Sequence, residues 1–458
     1  MGKKKNTILN MTIFAALALA LTASLRPAII ANPTELLLDS SDTGRRSIIS
    51  TMEPTGEPFE EDDEKGSELD SPSPEPEESP EPSNEPEEIT NEPALPEAVE
   101  LTDTLTLSFA TEVESAREYL LDGEYNTKLY FEGGTTIVIG AAEEIHSLYL
   151  VWDSPPGEWF IGGNENTQLC GENGYIHEYV SLIEAGTEVT IQISQDGSTL
   201  CDIYAFAAGS PPRSVQRWSA ALDEADMLLL PTHGKDEHLY FVGILPYYAG
   251  ELGYRVQVAY MVDHSDESGR YHEMLDGLWT VGVTSYPING IFPDYEAESI
   301  DDARAFYGEN SFIEYQVTLL RRFKPKVVVG HDLNGEYGNG AHMLNAHALQ
   351  TAVISAADSS YHIPSFEQHG IWDTPKLYLH LYWENTISMN WDIPLSRFDG
   401  ATAADMAVEA YECFQSQQDK YFAVPRIGPS GQVFGLAKST VGEDAIGGNM
   451  FENIPMQQ

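Results

Sequence analysis

The chain has 458 residues, enough for two or three domains, with 42% hydrophobic residues and a formal net charge of −49. The excess of 73 Asp and Glu over 24 Lys and Arg excludes nucleic acid as a partner, because phosphate binding needs a basic surface, and it argues against charge-driven docking on anionic lipid. Three cysteines, Cys170, Cys201 and Cys413, are too few for a disulfide scaffold; Cys170 and Cys201 either pair in an oxidising compartment or are free buried thiols.

Residues 1–31 begin with Lys3, Lys4 and Lys5 and continue into an apolar run over 11–25. A basic start before such a run is the pattern of an export signal, and the run is shorter than the about 20 residues of a membrane span. The segment is expected to be a cleaved signal or a retained N-terminal anchor. The protein is then exported, at the cell surface or secreted, with membrane attachment only through this segment. Residues 32–100 are rich in Glu, Pro, Ser and Asp, and between 51 and 100 nineteen acidic residues face the single Lys65. Such a stretch cannot bury enough apolar surface to offset the entropy of ordering, so it is expected to be a disordered acidic linker.

Residues 101–210 change texture. Short runs at 104–109, 129–140, 145–152, 177–183, 188–194 and 200–208 are rich in β-branched and aromatic residues and are separated by Gly and Pro turns. Without intervening helices this spacing predicts an all-β sandwich. Residues 120–131, 148–153 and 202–209 resemble the discoidin-like, galactose-binding-like jelly rolls. That resemblance implies glycan binding at loops, where Trp152, Trp159 and Tyr175 are either stacking platforms or core.

From 211 to 458 strands and helices alternate. Strands are expected at 225–232, 254–263 and 326–333, and helices at 239–253, 270–283, 299–325 and 342–360. Continuous apolar strands between helices predict an α/β domain, a mostly parallel Rossmann-like sheet with helices on both faces. Ligands of such sheets bind beyond the carboxyl ends of the strands. Two polar clusters stand there, one running from Thr232 to His238 and the other from His331 to His342. Imidazoles and a carboxylate suit zinc, and His233, Asp236 and His342 supply three ligands from two loops. His331 either lines the site or bonds its own loop, His380 reads as a satisfied core histidine, and no Gly-x-Ser-x-Gly nucleophile turn is present.

The second half, over 227–454, resembles the PIG-L (LmbE-like) family of zinc-dependent de-N-acetylases. His233-Gly234-Lys235-Asp236-Glu237 stands where that family has His-Pro-Asp-Asp-Glu. The run from Asp332 to His342 matches its later Asp-x-Asn-Gly-x-Tyr-Gly-His-x-x-His stretch, and Arg270 and Glu273 match an Arg-x-x-Glu on the helix between. The resemblance implies that His233, Asp236 and His342 hold Zn²⁺ or another divalent metal, and that Arg270 lies near substrate. It implies an N-acetylated amino sugar or glycan, such as an N-acetylglucosaminyl group, as the partner. Glu237 is expected to orient a ligand, Glu273 to make a helix ion pair, and Asp294 to meet a sugar hydroxyl or serve as a loop carboxylate.

Two departures matter. Lys235 occupies the family's general-base position, and an ammonium cannot accept a proton. Asn339 replaces the histidine that stabilises the tetrahedral intermediate; an amide still donates a hydrogen bond but carries no acid proton. Rescue requires a neutral Lys235 or Glu237 acting as base. The competing expectations are an exported de-N-acetylase, a catalytically impaired glycan-binding protein on the same fold, and a tethered structural surface protein.

Overall fold

A computed structural model describes residues 95–455 except 111–112, 114, 163–166, 419–421 and 426–429. The export segment and the linker up to residue 94 lie outside the described residues. The last linker residues belong to the folded part instead: the Ala98 N–H donates to the Ser210 carbonyl at 2.8 Å, and Ala98 is buried.

The first part is all antiparallel β. Its strands are β1 (Thr106–Phe109), β2 (Leu129–Phe131), β3 (Thr136–Trp152), β4 (Trp159–Ile161), β5 (Gln168–Cys170), β6 (His177–Ile193) and β7 (Ser198–Phe206), with one short helix, α1 (Ala116–Leu120). The order is β2-β7-β3-β6-β4-β5, with β1 also on β3. Two pairs of expected strands turn out to be single 17-residue strands, β3 and β6. Their register shifts between Gly140 and Ile145 and again before Ser147, so polar bulged residues interrupt the apolar alternation without ending the strand. Residues 129–140, expected as one strand, divide at the Gly133-Gly134 turn; β2 pairs β7 rather than β3. Trp152 and Trp159 are fully buried core, and Tyr175 is buried with its ring tilted against Tyr286, centroids 4.6 Å apart, so none of the three is a sugar platform. Cys170 and Cys201 are both free and buried.

The second part carries β8 (Met227–Leu229), α2 (Asp236–Leu239), β9 (Val256–Val258), α3 (Ser268–Thr280), α4 (Ile300–Tyr307), α5 (Glu309–Phe323), β10 (Val327–Gly330), α6 (Gly340–Ser355), α7 (Ile363–His369), β11 (Lys376–His380), β12 (Thr386–Ser388), α8 (Ala403–Glu412) and β13 (Val433–Ser439). The sheet order is β12-β13-β11-β10-β8-β9. The four strands from β11 to β9 are parallel; at the other edge β13 runs antiparallel to β11, and β12 antiparallel to β13. Alternate residues go to opposite faces. Met227, Leu229, Val327 and Val329 pack with Met274 and Leu278 of α3 and Ala407 of α8. Leu228, Val328, Leu377 and Leu379 pack with Leu320 of α5 and Leu349 of α6. Both faces are therefore covered, which is why these strands read as unbroken apolar runs.

Two expected helices are broken. Residues 239–253 hold the end of α2 and then a separate π-helical stretch, Leu245–Glu251, with Pro246 in its first turn, where a missing N–H costs nothing. Residues 299–325 split at Gly308, whose φ of +79° ends α4 and starts α5 on a new axis.

The two parts meet across α3 and the segment that follows it. Tyr125 donates to Asp276 at 2.8 Å, His177 Nε2 lies 2.8 Å from His272 Nδ1, and the Ile176 N–H donates to the Tyr286 hydroxyl at 3.2 Å.

Candidate active site

Adjacent parallel strands place the site. β8 runs through Thr232 to His233, and its neighbour β10 runs into His331 and then the loop to α6, so both polar clusters emerge at one sheet edge. A tight turn follows His233: its N–H donates to Asp236 Oδ2 at 2.8 Å. Lys235 takes the left-handed conformation before α2, with φ of +100°, an unfavourable choice for a residue with a Cβ. The Gly234 N–H donates to His264 Nε2 at 2.9 Å, which holds the loop from the side. Asn339 caps α6, its side-chain oxygen accepting from the N–H groups of Ala341 and His342.

His233 Nδ1, Asp236 Oδ2 and His342 Nε2 converge. They are 3.0 Å apart for the two nitrogens and 3.3 and 3.1 Å for each nitrogen to the carboxylate oxygen. A tetrahedral ion with ligand bonds of about 2.0–2.1 Å sets its ligand atoms about 3.3 Å apart, so the three residues fit a metal. All three are buried. Burial works to raise the Asp236 pKa, yet the His342 and His233 rings hold it well below the usual carboxylate range. Burial keeps His233 below its ordinary value, hence neutral and able to offer a lone pair.

Behind them lies a second layer centred on Glu336. His331 Nε2 accepts from the Thr232 N–H at 3.0 Å, and His380 Nε2 accepts from the Gly431 N–H at 3.1 Å. Each ring therefore carries its proton on Nδ1 and donates to Glu336, at 3.1 and 2.9 Å. Burial opposes ionisation of Glu336, but His380 and His331 outweigh it and drive its pKa far down. His331 also stands 3.6 Å from Asp236.

Several expectations are corrected by this geometry. His331 does not line a substrate pocket: it is fully buried and both ring nitrogens are engaged within the fold. Glu237 does not orient a ligand. It is fully buried, accepts from the Lys235 N–H at 3.0 Å, and is pushed up to about 8 by burial. Glu273 makes no helix ion pair; it accepts from the N–H and hydroxyl of Ser416 at 2.7 and 2.5 Å, because α3 faces the turn after α8. Asn339 has its oxygen committed to the helix cap, and its amide nitrogen lies 3.4 Å from the Tyr337 hydroxyl. His380 is the satisfied buried histidine that its strand implied.

Arg270 and Asp294 come together beside the ligand set. Arg270 Nη1 donates to Asp294 Oδ2 at 2.8 Å, and Asp294 Oδ1 lies 3.5 Å from His233 Nε2. Arg270 is buried while Asp294 is 35% exposed, so the carboxylate is the accessible member of the pair. The Lys235 ammonium donates to Gln417 Oε1 at 2.9 Å and lies 5.8 Å from the Phe422 ring. Sequence reasoning did not single out Glu336, Gln417 or Tyr240. The Tyr240 ring packs edge-on against His342, centroids 5.8 Å apart, and its buried hydroxyl has no hydrogen-bond partner among the described residues.

No family model matches the chain. Two curated relatives are named 1D-myo-inositol 2-acetamido-2-deoxy-alpha-D-glucopyranoside deacetylase. The one from Geodermatophilus obscurus is 28% identical over 126 residues, covering 25% of this chain and 42% of that protein. The one from Rhodococcus erythropolis is 39% identical over 62 residues, covering 14% of this chain and 20% of that protein. The chain thus spans less than half the length of the curated relatives it matches. Among solved structures, the N,N'-diacetylchitobiose deacetylase from Pyrococcus horikoshii is 15% identical, with a TM-score of 0.33 over 43% of this chain and 72% of that one.

Proposed function

We propose that this chain is an exported de-N-acetylase of the PIG-L (LmbE-like) type. It uses zinc at His233, Asp236 and His342 to hydrolyse the amide of an N-acetylated amino sugar, such as an N-acetylglucosaminyl group. The observation that carries the proposal is the convergence of those three side chains from two loops of one sheet edge. The partial matches to named deacetylases support it.

Zinc, when bound, supplies Lewis-acid polarisation of a carbonyl and a lowered pKa for water. Asp236 would contribute the negative charge and the two imidazoles would contribute lone pairs. Glu336, through His331, keeps the ring behind Asp236 in one tautomer. Amide hydrolysis releases acetate and a free amine, so a group must accept a proton from water and a group must deliver one to nitrogen. Lys235 as an ammonium cannot accept, and Glu237 is enclosed and bonded to the Lys235 backbone. Asp294 is the partly exposed carboxylate in contact with the ligand set, and the proposal gives it the acceptor role. Tyr240, whose ring packs on His342 and whose hydroxyl has no hydrogen-bond partner among the described residues, is assigned as donor to a developing oxyanion.

A second reading, a glycan-binding protein with impaired catalysis, is favoured by Lys235 and by the committed Asn339 oxygen. Acetate release from N-acetylglucosamine oligosaccharides by the full chain, with zinc supplied, separates the two. Release that disappears in His342→Ala supports the enzyme. Bound zinc and bound sugar without release favour the binder. Absence of bound zinc removes the basis of both metal-centred readings.

A further inference from the structure

The boundary between the β part and α3 holds a second convergence of donor atoms, and this one contains a thiol. Cys201 lies on β7, fully buried and unpaired. Asp153 follows β3 directly and is held against β7 by its N–H, which donates to the Thr199 carbonyl at 2.9 Å. His272, on α3, reaches them from the other part of the fold and is also fully buried. The Cys201 sulfur, an Asp153 carboxylate oxygen and a His272 ring nitrogen all lie within 4.8 Å of one another.

The state of His272 is the independent sign. Its Nδ1 is 2.8 Å from His177 Nε2, and His177 Nδ1 is 2.5 Å from the Tyr149 hydroxyl. Its Nε2 is enclosed with no hydrogen-bond partner among the described residues. An enclosed polar atom without a partner is costly, so such an atom calls for an explanation. If His272 donates from Nδ1 to His177, and His177 donates in turn to Tyr149, Nε2 is the ring nitrogen left with a lone pair to offer an ion. Metal-bound histidines are held in this way, with the distal N–H fixed by a second partner. The Tyr125 ring stacks on His272, centroids 4.3 Å apart, and limits its rotation.

We propose that Cys201, His272 and Asp153 form a binding site for a zinc-class divalent ion that clasps the β part to α3. A thiolate, an imidazole and a carboxylate make a mixed donor set suited to such an ion, with a fourth position left for water. On uptake the Cys201 sulfur–hydrogen bond is replaced by a sulfur–metal bond and one proton passes to solvent; no electron is transferred. Lys128 holds Asp153 Oδ1 at 2.6 Å and is 36% exposed, so its ammonium can withdraw to water as the ion takes over the carboxylate charge. Arg270 is two residues from His272 on the same helix, so the clasp also fixes the backbone that carries the Arg270–Asp294 pair.

Cobalt(II) titrated into the reduced, metal-stripped full-length protein tests this. The His233–Asp236–His342 centre has no sulfur, so thiolate-to-cobalt charge-transfer absorption reports only a cysteine-containing site. The expected result is such a band, lost in Cys201→Ser and in His272→Ala but retained in His342→Ala. Lys128→Met leaves all three ligand side chains in place and removes the ammonium that competes for Asp153; it is expected to tighten cobalt binding at this band by roughly tenfold. No band at saturating cobalt, or a band that survives Cys201→Ser, overturns the proposal. So does unchanged or weaker binding in Lys128→Met.

Discussion

Replacing Lys235 by Asp probes the proposed chemistry directly. The side chain stands between His233 and Asp236 in the turn that presents both, and its ammonium now bonds Gln417 at 2.9 Å. Losing that partly buried hydrogen bond costs about 1 kcal/mol. Against this, Asp is several-fold better tolerated than Lys at a positive φ such as the +100° found here, which offsets part of the cost. The variant should therefore stay folded, with a melting temperature within about 4 °C of the parent. A positioned carboxylate base is worth about 10²–10⁴ in rate, and exchanging a positive for a negative charge beside the ligand set also favours a cation there. The assay is the initial rate of acetate release from an N-acetylglucosamine oligosaccharide at saturating zinc. The expected outcome is a rise in kcat of up to about 10²-fold, the low end of that range, because Asp294 already supplies an acceptor. A folded, zinc-loaded variant whose rate does not rise would refute the reasoning that Lys235 holds the base position.

Other outcomes follow from the surroundings of the site. Glu336→Gln replaces two charge-assisted acceptor contacts by one oxygen and an amide that opposes a histidine N–H; a loss of about 3–5 kcal/mol in denaturant unfolding is expected, with weaker zinc binding. Gly340 opens α6 with its Cα against the backbone, where a Cβ would lie 2.1 Å from the Ser299 carbonyl oxygen. Gly340→Ala should therefore shift the helix that carries His342, costing about 1–3 kcal/mol and lowering zinc affinity in a calorimetric titration. Asp202, fully buried with one oxygen unpartnered among the described residues, has its pKa raised to about 7 by burial. Between the ordinary carboxylate value and about 7 the folded state thus holds a proton that the unfolded chain has released. Stability from this group falls as pH rises across that window and levels off above it. Asp202→Asn should remove that part of the slope, read as melting temperature against pH; an unchanged slope would count against a raised Asp202.

Much of the plan was legible because it depends on local pattern. Unbroken apolar strands such as 327–329 require cover on both faces, and the polar residues just beyond them mark a site edge. The ligand candidates His233, Asp236 and His342 stood out by motif and position. What was not legible depends on distance in the chain or on backbone geometry. Nothing near Glu336 announces that it accepts from His331 and from His380, 44 residues further on. Gln417 meets Lys235 across 182 residues. The polar residues around 140–147 read as a break between strands because bulges disrupt alternation while leaving the pairing intact. Asn339 looked like a donor to substrate because its motif position masks its second use as a helix cap.

The seam along α3 bears on how such a protein can change over generations. Tyr125, His177 and Ile176 on one side meet Asp276, His272 and Tyr286 on the other. A β part that hung on a free tether could be exchanged for an unrelated module with little harm to its neighbour. Here exchange would strand a buried histidine and an acid on the very helix that carries Arg270. The two parts are bound to be inherited, and to drift, as a pair, with changes on one face of the seam answered on the other.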